Sequence, residues 1–157
     1  MQDPIQLICI ECNNRTSIIV GFPGETDKEF EELLKFIQDV RFDRLGAFIY
    51  SREEGTPAGL FKNQIPEKIK QERFDRIMKL QEELSRENNG EKLGKITRVL
   101  IEEKITDSNN EFIGRTYMDA PEVDGVIYVE GEKLTIGEFA DVKIIDTLEY
   151  DLVGKAI

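Results

Sequence analysis

Few residues in this chain could carry chemistry, and their types narrow it. Histidine is absent and only two cysteines are present, which excludes imidazole acid–base catalysis and histidine metal ligation within the chain. Cys9 and Cys12 form a Cys-x-x-Cys pair. A closed zinc site takes four thiolate or imidazole ligands, so two thiols leave a shared metal, a disulfide or no site at all. No residue is assigned to catalysis or to a metal. The second feature is the turn Gly21-Phe22-Pro23-Gly24-Glu25, where glycines could let backbone approach a ligand. A third is the acidic trio Asp119, Glu122 and Asp124 in Asp-Ala-Pro-Glu-Val-Asp-Gly. Paired carboxylates can move protons, but no partner base accompanies them, and solvated loop acids are the plain alternative.

The elements around the turn give it a position. Ile18-Ile19-Val20 is an apolar, β-branched run that breaks into the turn, and continuous apolarity predicts a strand covered on both faces, as in a parallel sheet. Thr26 and Glu29 match a capping box, with Phe30, Leu33, Leu34, Ile37 and Val40 at helical spacing behind them. Leu45–Tyr50 reads as a second buried strand, making a β-α-β unit with a right-handed parallel crossover. Ligands gather at the carboxyl ends of such strands. The turn occupies one such end, and Ser51, Arg52, Gly55, Thr56 and Pro57 follow the other. Each loop has a plain alternative, an ordinary strand-to-helix turn in the first case and a solvated connector in the second. A long helix from Pro66 to about Asn88 is predicted to turn Ile69, Ile77, Leu80 and Leu84 inward, with Phe74 and Met78 alongside.

Beyond Gly90 the pattern changes to short β-type segments at 96–102, 112–117, 126–129, 140–145 and 152–157, separated by turn residues. That predicts a small barrel or sandwich and a domain boundary at Gly90. Acidic residues number 32 against 21 basic, a net charge of −11. This argues against a generic nucleic-acid or anionic-membrane surface, which needs clustered Lys and Arg. Residues 91–157 hold 8 basic and 15 acidic residues, so the β-region is the more acidic. No run nears the roughly 18 apolar residues of a membrane span, and no signal peptide is evident, so a cytoplasmic protein without a membrane partner is expected.

The runs IIVGFPGET, FDRLGAFIYSREEGTPA and PEKIKQERFDRIMKLQEELS resemble the last part of the radical S-adenosylmethionine (SAM) methylthiotransferases, and the β-region resembles their terminal TRAM domain. Within that group, GRTYMDAPEVDGVIYV and EYDLVGKAI resemble the RimO-type family, which acts on a ribosomal protein. The resemblance implies an α/β fold, the end of a radical SAM (partial TIM-like) barrel, followed by an all-β, OB-like TRAM barrel. It divides the chain into an unmatched leader at 1–14, barrel at 15–90 and TRAM domain at 91–157. It also implies SAM and two 4Fe–4S clusters in the full-length family, with the β-carbon of an aspartate in ribosomal protein S-12 as target. By resemblance, Gly21, Phe22, Pro23, Gly24, Glu25, Ser51, Thr56 and Pro57 wall the SAM site, and Asp119, Glu122 and Asp124 meet the partner. The family's cluster is held by a Cys-x3-Cys-x2-Cys motif that this chain lacks, and two cysteines cannot supply it. The expectation is therefore a carboxy-terminal fragment that is inactive alone. The sister MiaB family, which modifies tRNA, shares the Gly-Phe-Pro-Gly-Glu motif, but an acidic barrel makes tRNA the lesser partner. A non-catalytic TRAM binding module is the remaining alternative.

Overall fold

The computed structural model describes residues 13–106, 108, 110–121 and 123–157. Cys9, Cys12 and Glu122 lie outside the described residues. The chain divides into two compact units, Met1–Leu84 and Ser85–Ile157.

In the first unit, strand β1 (Arg15–Val20) leads into helix α1 (Asp27–Val40), strand β2 (Arg44–Ile49), a 3-10 turn (Ala58–Leu60) and, as far as Leu84, helix α2 (Glu67–Gly90). The two strands pair in parallel, with Val20 opposite Ile49 and Arg15 opposite Arg44. Helix α1 starts as its sequence dictates: the Glu29 amide donates to Thr26 Oγ1, and Glu29 Oε2 accepts from the Thr26 amide at 2.8 Å. The Thr26 amide, and after it the Thr26 hydroxyl, which donates to the same Glu29 Oε2 at 2.7 Å, hold the Glu29 carboxyl below its ordinary pKa, with Lys28 adding a smaller pull. A carboxylate bound more tightly to its charge in the folded state stabilises above the ordinary glutamate range and loses that contribution as pH falls through the lowered value. Helix α1 is therefore expected to fray on acidification at lower pH in the native protein than in Thr26→Ala, read from amide exchange of its first turn.

Burial in this unit departs from the periodic reading in two places. Ile69, expected inside, is 37% exposed, while Lys70, Arg73 and Gln81 are buried along the same helix as Ile77 and Leu84. The inward stripe of α2 therefore runs through polar residues, one position on from the apolar one, because those residues find partners inside. Gln81 Nε2 donates to the Phe42 carbonyl at 3.0 Å. The second departure is the sheet. One face packs on Phe30, Ile37 and Ile77, but Ile19 and Phe48, partners across the sheet, are 60% and 58% exposed. Among the described residues, the strands expected to be covered on both faces are covered on one.

In the second unit β3 (Ile96–Lys104), β4 (Glu111–Thr116), β5 (Ile127–Glu130), β6 (Phe139–Thr147) and β7 (Leu152–Ala156) close into a barrel in the order β3-β4-β5-β7-β6. Away from the bulges at Ile101/Glu103 and Ile144/Asp146 the strands alternate buried and wet positions, as in Ile127-Tyr128-Val129-Glu130, because successive side chains point to opposite faces. The inward set is Val99, Ile101, Phe112, Ile127, Val129, Val142, Ile144 and Leu152. Asn89, from the end of α2, belongs to this unit: it is buried, and its Nδ2 donates to the Leu148 and Glu149 carbonyls at 3.2 and 3.1 Å. Asn89→Ala leaves those carbonyls without their donor and is expected to cost the barrel about 1–3 kcal/mol, measured as a shift in its urea midpoint.

Candidate functional site

Both loops singled out by the sequence leave the same end of the parallel pair. The Tyr50 amide donates to the Val20 carbonyl at 2.9 Å, so the chain exits both strands at one level. Gly21 and Gly24 have φ of +74° and +92°, a left-handed conformation that residues with a Cβ avoid. The space beside them is filled by the protein itself. A Cβ on Gly21 would lie 2.4 Å from Lys70 Cγ, and one on Gly24 would lie 2.3 Å from Asn63 Nδ2. Lys70 of α2 closes the space beside Gly21, while at Gly24 the left-handed φ is what requires glycine, since Asn63 Nδ2 is the end of a flexible side chain.

Glu25 fastens the turn. Its Oε2 accepts from the Gly21 amide at 2.9 Å and its Oε1 accepts from Arg73 Nη1 at 2.6 Å. Arg73 also reaches Asp27 at 2.7 Å and lies over the Phe30 ring at 5.0–5.3 Å alongside Arg76. The Arg73 and Glu25 side chains are 6% and 14% exposed, so this pair is shielded and its geometry matters. Lys70, 2% exposed, donates to the Tyr50 carbonyl at 3.0 Å and to Glu67 at 2.7 Å. One helix thus holds both loops, through Arg73 on the first and Lys70 on the second. Neither residue carried a signal that apolar periodicity could detect.

The surface left at this end is aromatic. Phe22 packs edge-on against Tyr50 and Phe61 with ring centroids 5.3 and 6.2 Å away, and Phe22 and Phe61 remain exposed. Pro23 is buried beneath the turn. In the second loop Ser51 bonds Glu53, while Thr56 Oγ1 donates to the Glu53 carbonyl and accepts from the Gly59 amide. Thr56 and Pro57 thereby start the 3-10 turn, while Ser51, Arg52 and Gly55 stay exposed.

Of the acidic trio, Asp119 and Asp124 sit in the second unit. Asp119 is 8% exposed and its carboxylate accepts from Thr116 Oγ1 at 2.6 Å. Asp124 accepts from the Ala120 amide at 2.6 Å. Both shape the loop that presents their neighbours. A cavity of about 420 Å³ in this unit is lined by Arg86, Thr147, Leu148, Glu149, Tyr150 and Asp151. The Arg86–Glu149 ion pair at 2.6 Å engages two of its charged groups, and Asp151 Oδ1 accepts from the Val126 amide at 2.9 Å. Among the described residues no group of acidic, cysteine or histidine side chains could hold a metal ion, and no helix is long and apolar enough to cross a membrane.

Comparison with known proteins agrees with the barrel. The family model for the TRAM domain matches residues 93–157. The ribosomal protein uS12 methylthiotransferase RimO of Clostridioides difficile is 51% identical over 144 residues, 91% of this chain and 32% of that protein. RimO of Desulforamulus reducens is 51% identical over 142 residues, 90% of this chain and 32% of its own length. RimO of Clostridium novyi is 47% identical over 155 residues, 98% of this chain and 33% of its own. The chain spans about a third of the length of these curated relatives. Over nine-tenths of its length the chain is thus about half identical to the RimO-type methylthiotransferases, and its residues 93–157 match the TRAM domain.

Proposed function

We propose that this chain contributes one wall of the SAM site and the TRAM domain of a RimO-type enzyme that methylthiolates ribosomal protein uS12. Residues 15–90 would be the last part of the radical SAM barrel and 91–157 the TRAM domain. The observation that carries this reading is the joint exit of the Gly21–Glu25 turn and the Ser51–Pro57 loop from parallel strands, in a chain half identical to RimO. The open sheet face at Ile19 and Phe48 supports it, since a parallel pair is normally buried on both faces.

The residues fit SAM in part. Phe22 and Phe61 offer ring surface to an adenine, and Gly21, Pro23, Gly24 and Glu25 hold Phe22 in place, as Ser51, Thr56 and Pro57 hold the opposite loop. They do not fit the clusters: two cysteines cannot ligate a cluster that takes at least three thiolates. SAM and the clusters supply the radical and methyl chemistry when bound. This chain's own part is to orient SAM and to exclude water beside it. Alone, it is expected to be inactive. Asp119, Glu122 and Asp124 are proposed to meet the partner, and the acidic barrel favours a basic protein over tRNA. The test replaces the matching third of C. difficile RimO with residues 13–157. The chimera, with clusters reconstituted, is expected to add a methylthio group to uS12 by mass spectrometry and to leave tRNA unmodified. A cluster-loaded chimera that binds SAM and modifies tRNA alone would overturn the reading.

A further inference from the structure

One row of side chains crosses the outside of the whole barrel. Strand register places Glu103 opposite Ile113, Ile113 opposite Tyr128, Tyr128 opposite Val153 and Val153 opposite Asp146. The row therefore has three apolar members between two carboxylates, one residue from each strand. Tyr128 is 37% exposed, Glu103 and Asp146 are exposed, and Ile113 and Val153 are half-buried. In the next outward row Glu111 stands opposite Glu130, which is occupied by Lys155 at 3.2 Å. Glu103 and Glu111 form no ion pair with another described residue, and they flank Ile113. Diagonal cross-strand neighbours lie about 7–8 Å apart, within reach of one long side chain. An apolar ring face beside two uncommitted carboxylates suits a guanidinium, which stacks on the ring while its N–H groups pair with carboxylate. Such acids would repel a phosphate backbone.

We infer that this row is the docking surface for an arginine-bearing segment of a basic protein, with Tyr128 stacking on the guanidinium and Glu103 and Glu111 pairing with it. The inference rests on the proposed basic protein partner and adds where that partner binds.

The test measures the anisotropy of a fluorescein-labelled, arginine-rich 12-residue peptide titrated with the full chain at low salt. A single-stranded 12-nucleotide RNA and purified uS12 serve as further probes. Glu103→Gln with Glu111→Gln is expected to weaken peptide and uS12 binding about tenfold, the loss of one to two charge-assisted bonds. Tyr128→Leu, which keeps apolar bulk, is expected to weaken both several-fold. Glu132→Gln with Glu138→Gln, two exposed acids between β5 and β6, removes the same charge elsewhere and is expected to change binding less than about twofold. An unchanged urea midpoint shows that each variant is folded. Equal losses from the two double variants would overturn the row in favour of diffuse charge, as would RNA binding more tightly than peptide. If uS12 binds and ignores all the row variants, the row is wrong and the functional reading stands. If the peptide binds through the row and uS12 does not bind, the row stands and the uS12 reading falls.

Discussion

Replacing Arg73 with alanine will destabilise the first unit by about 3–5 kcal/mol, the usual cost of removing one partner from a buried ion pair. Arg73 is 6% exposed, and it is the cation for Glu25, which is itself bonded to the Gly21 amide. Without it, a shielded carboxylate is left facing protein, and the Phe30 ring loses one of its two guanidinium neighbours, keeping Arg76. Arg73→Lys will recover only part of the loss, because an ammonium cannot serve Glu25 and Asp27 with two separate nitrogens as Arg73 does. Arg73→Met with Glu25→Gln will recover more, since both charges are then gone. Urea unfolding of the three variants, read by amide exchange within β1 and β2, checks the order. Equal losses for all three would show that the packing of Arg73, and not its charge, is what matters.

Gly21→Ala will cost about 2–5 kcal/mol from two separable causes. A left-handed φ of +74° costs a residue with a Cβ about 1–2 kcal/mol. Overpacking costs a further 1–3 kcal/mol or so, because the new methyl group would sit 2.4 Å from Lys70 Cγ. Adding Lys70→Ala to Gly21→Ala removes the clash but not the backbone strain. The double variant is therefore expected to be less destabilised than the sum of the two singles, a non-additive coupling that urea midpoints can read. Strict additivity would mean that Lys70 does not close the space behind the turn.

The contrast between these two sites shows what the sequence could reveal. The capping box at Thr26 and Glu29 and all five barrel strands were legible, because each depends on neighbours within a few residues or on strict alternation. The turn's glycines were legible as a turn, but the crowding behind Gly21 was not, since Lys70 arrives from a distant part of the chain. Arg73 stands 48 residues from Glu25. A hydrophobic period chooses Ile69 over Lys70 and passes over Arg73, because burial of a cation depends on a partner that pattern alone does not name. The outward row on the barrel needed strand register, above all the bulge between Ile101 and Glu103 that brings Glu103 opposite Ile113. The acidic trio was visible as sequence, while the inward turn of Asp119 onto Thr116 was not.

The most direct measurement is the SAM dissociation constant of the C. difficile chimera carrying residues 13–157, with and without Phe22→Ala. Phe22 is exposed at the shared exit of β1 and β2, so its removal costs little folding energy but takes away the ring surface beside the turn. A base–aromatic stack contributes about 1–3 kcal/mol, so SAM affinity is expected to fall about 5- to 150-fold, with the urea midpoint moving little. Unchanged SAM affinity in a folded Phe22→Ala chimera would contradict the assignment of this turn as a wall of the cofactor site.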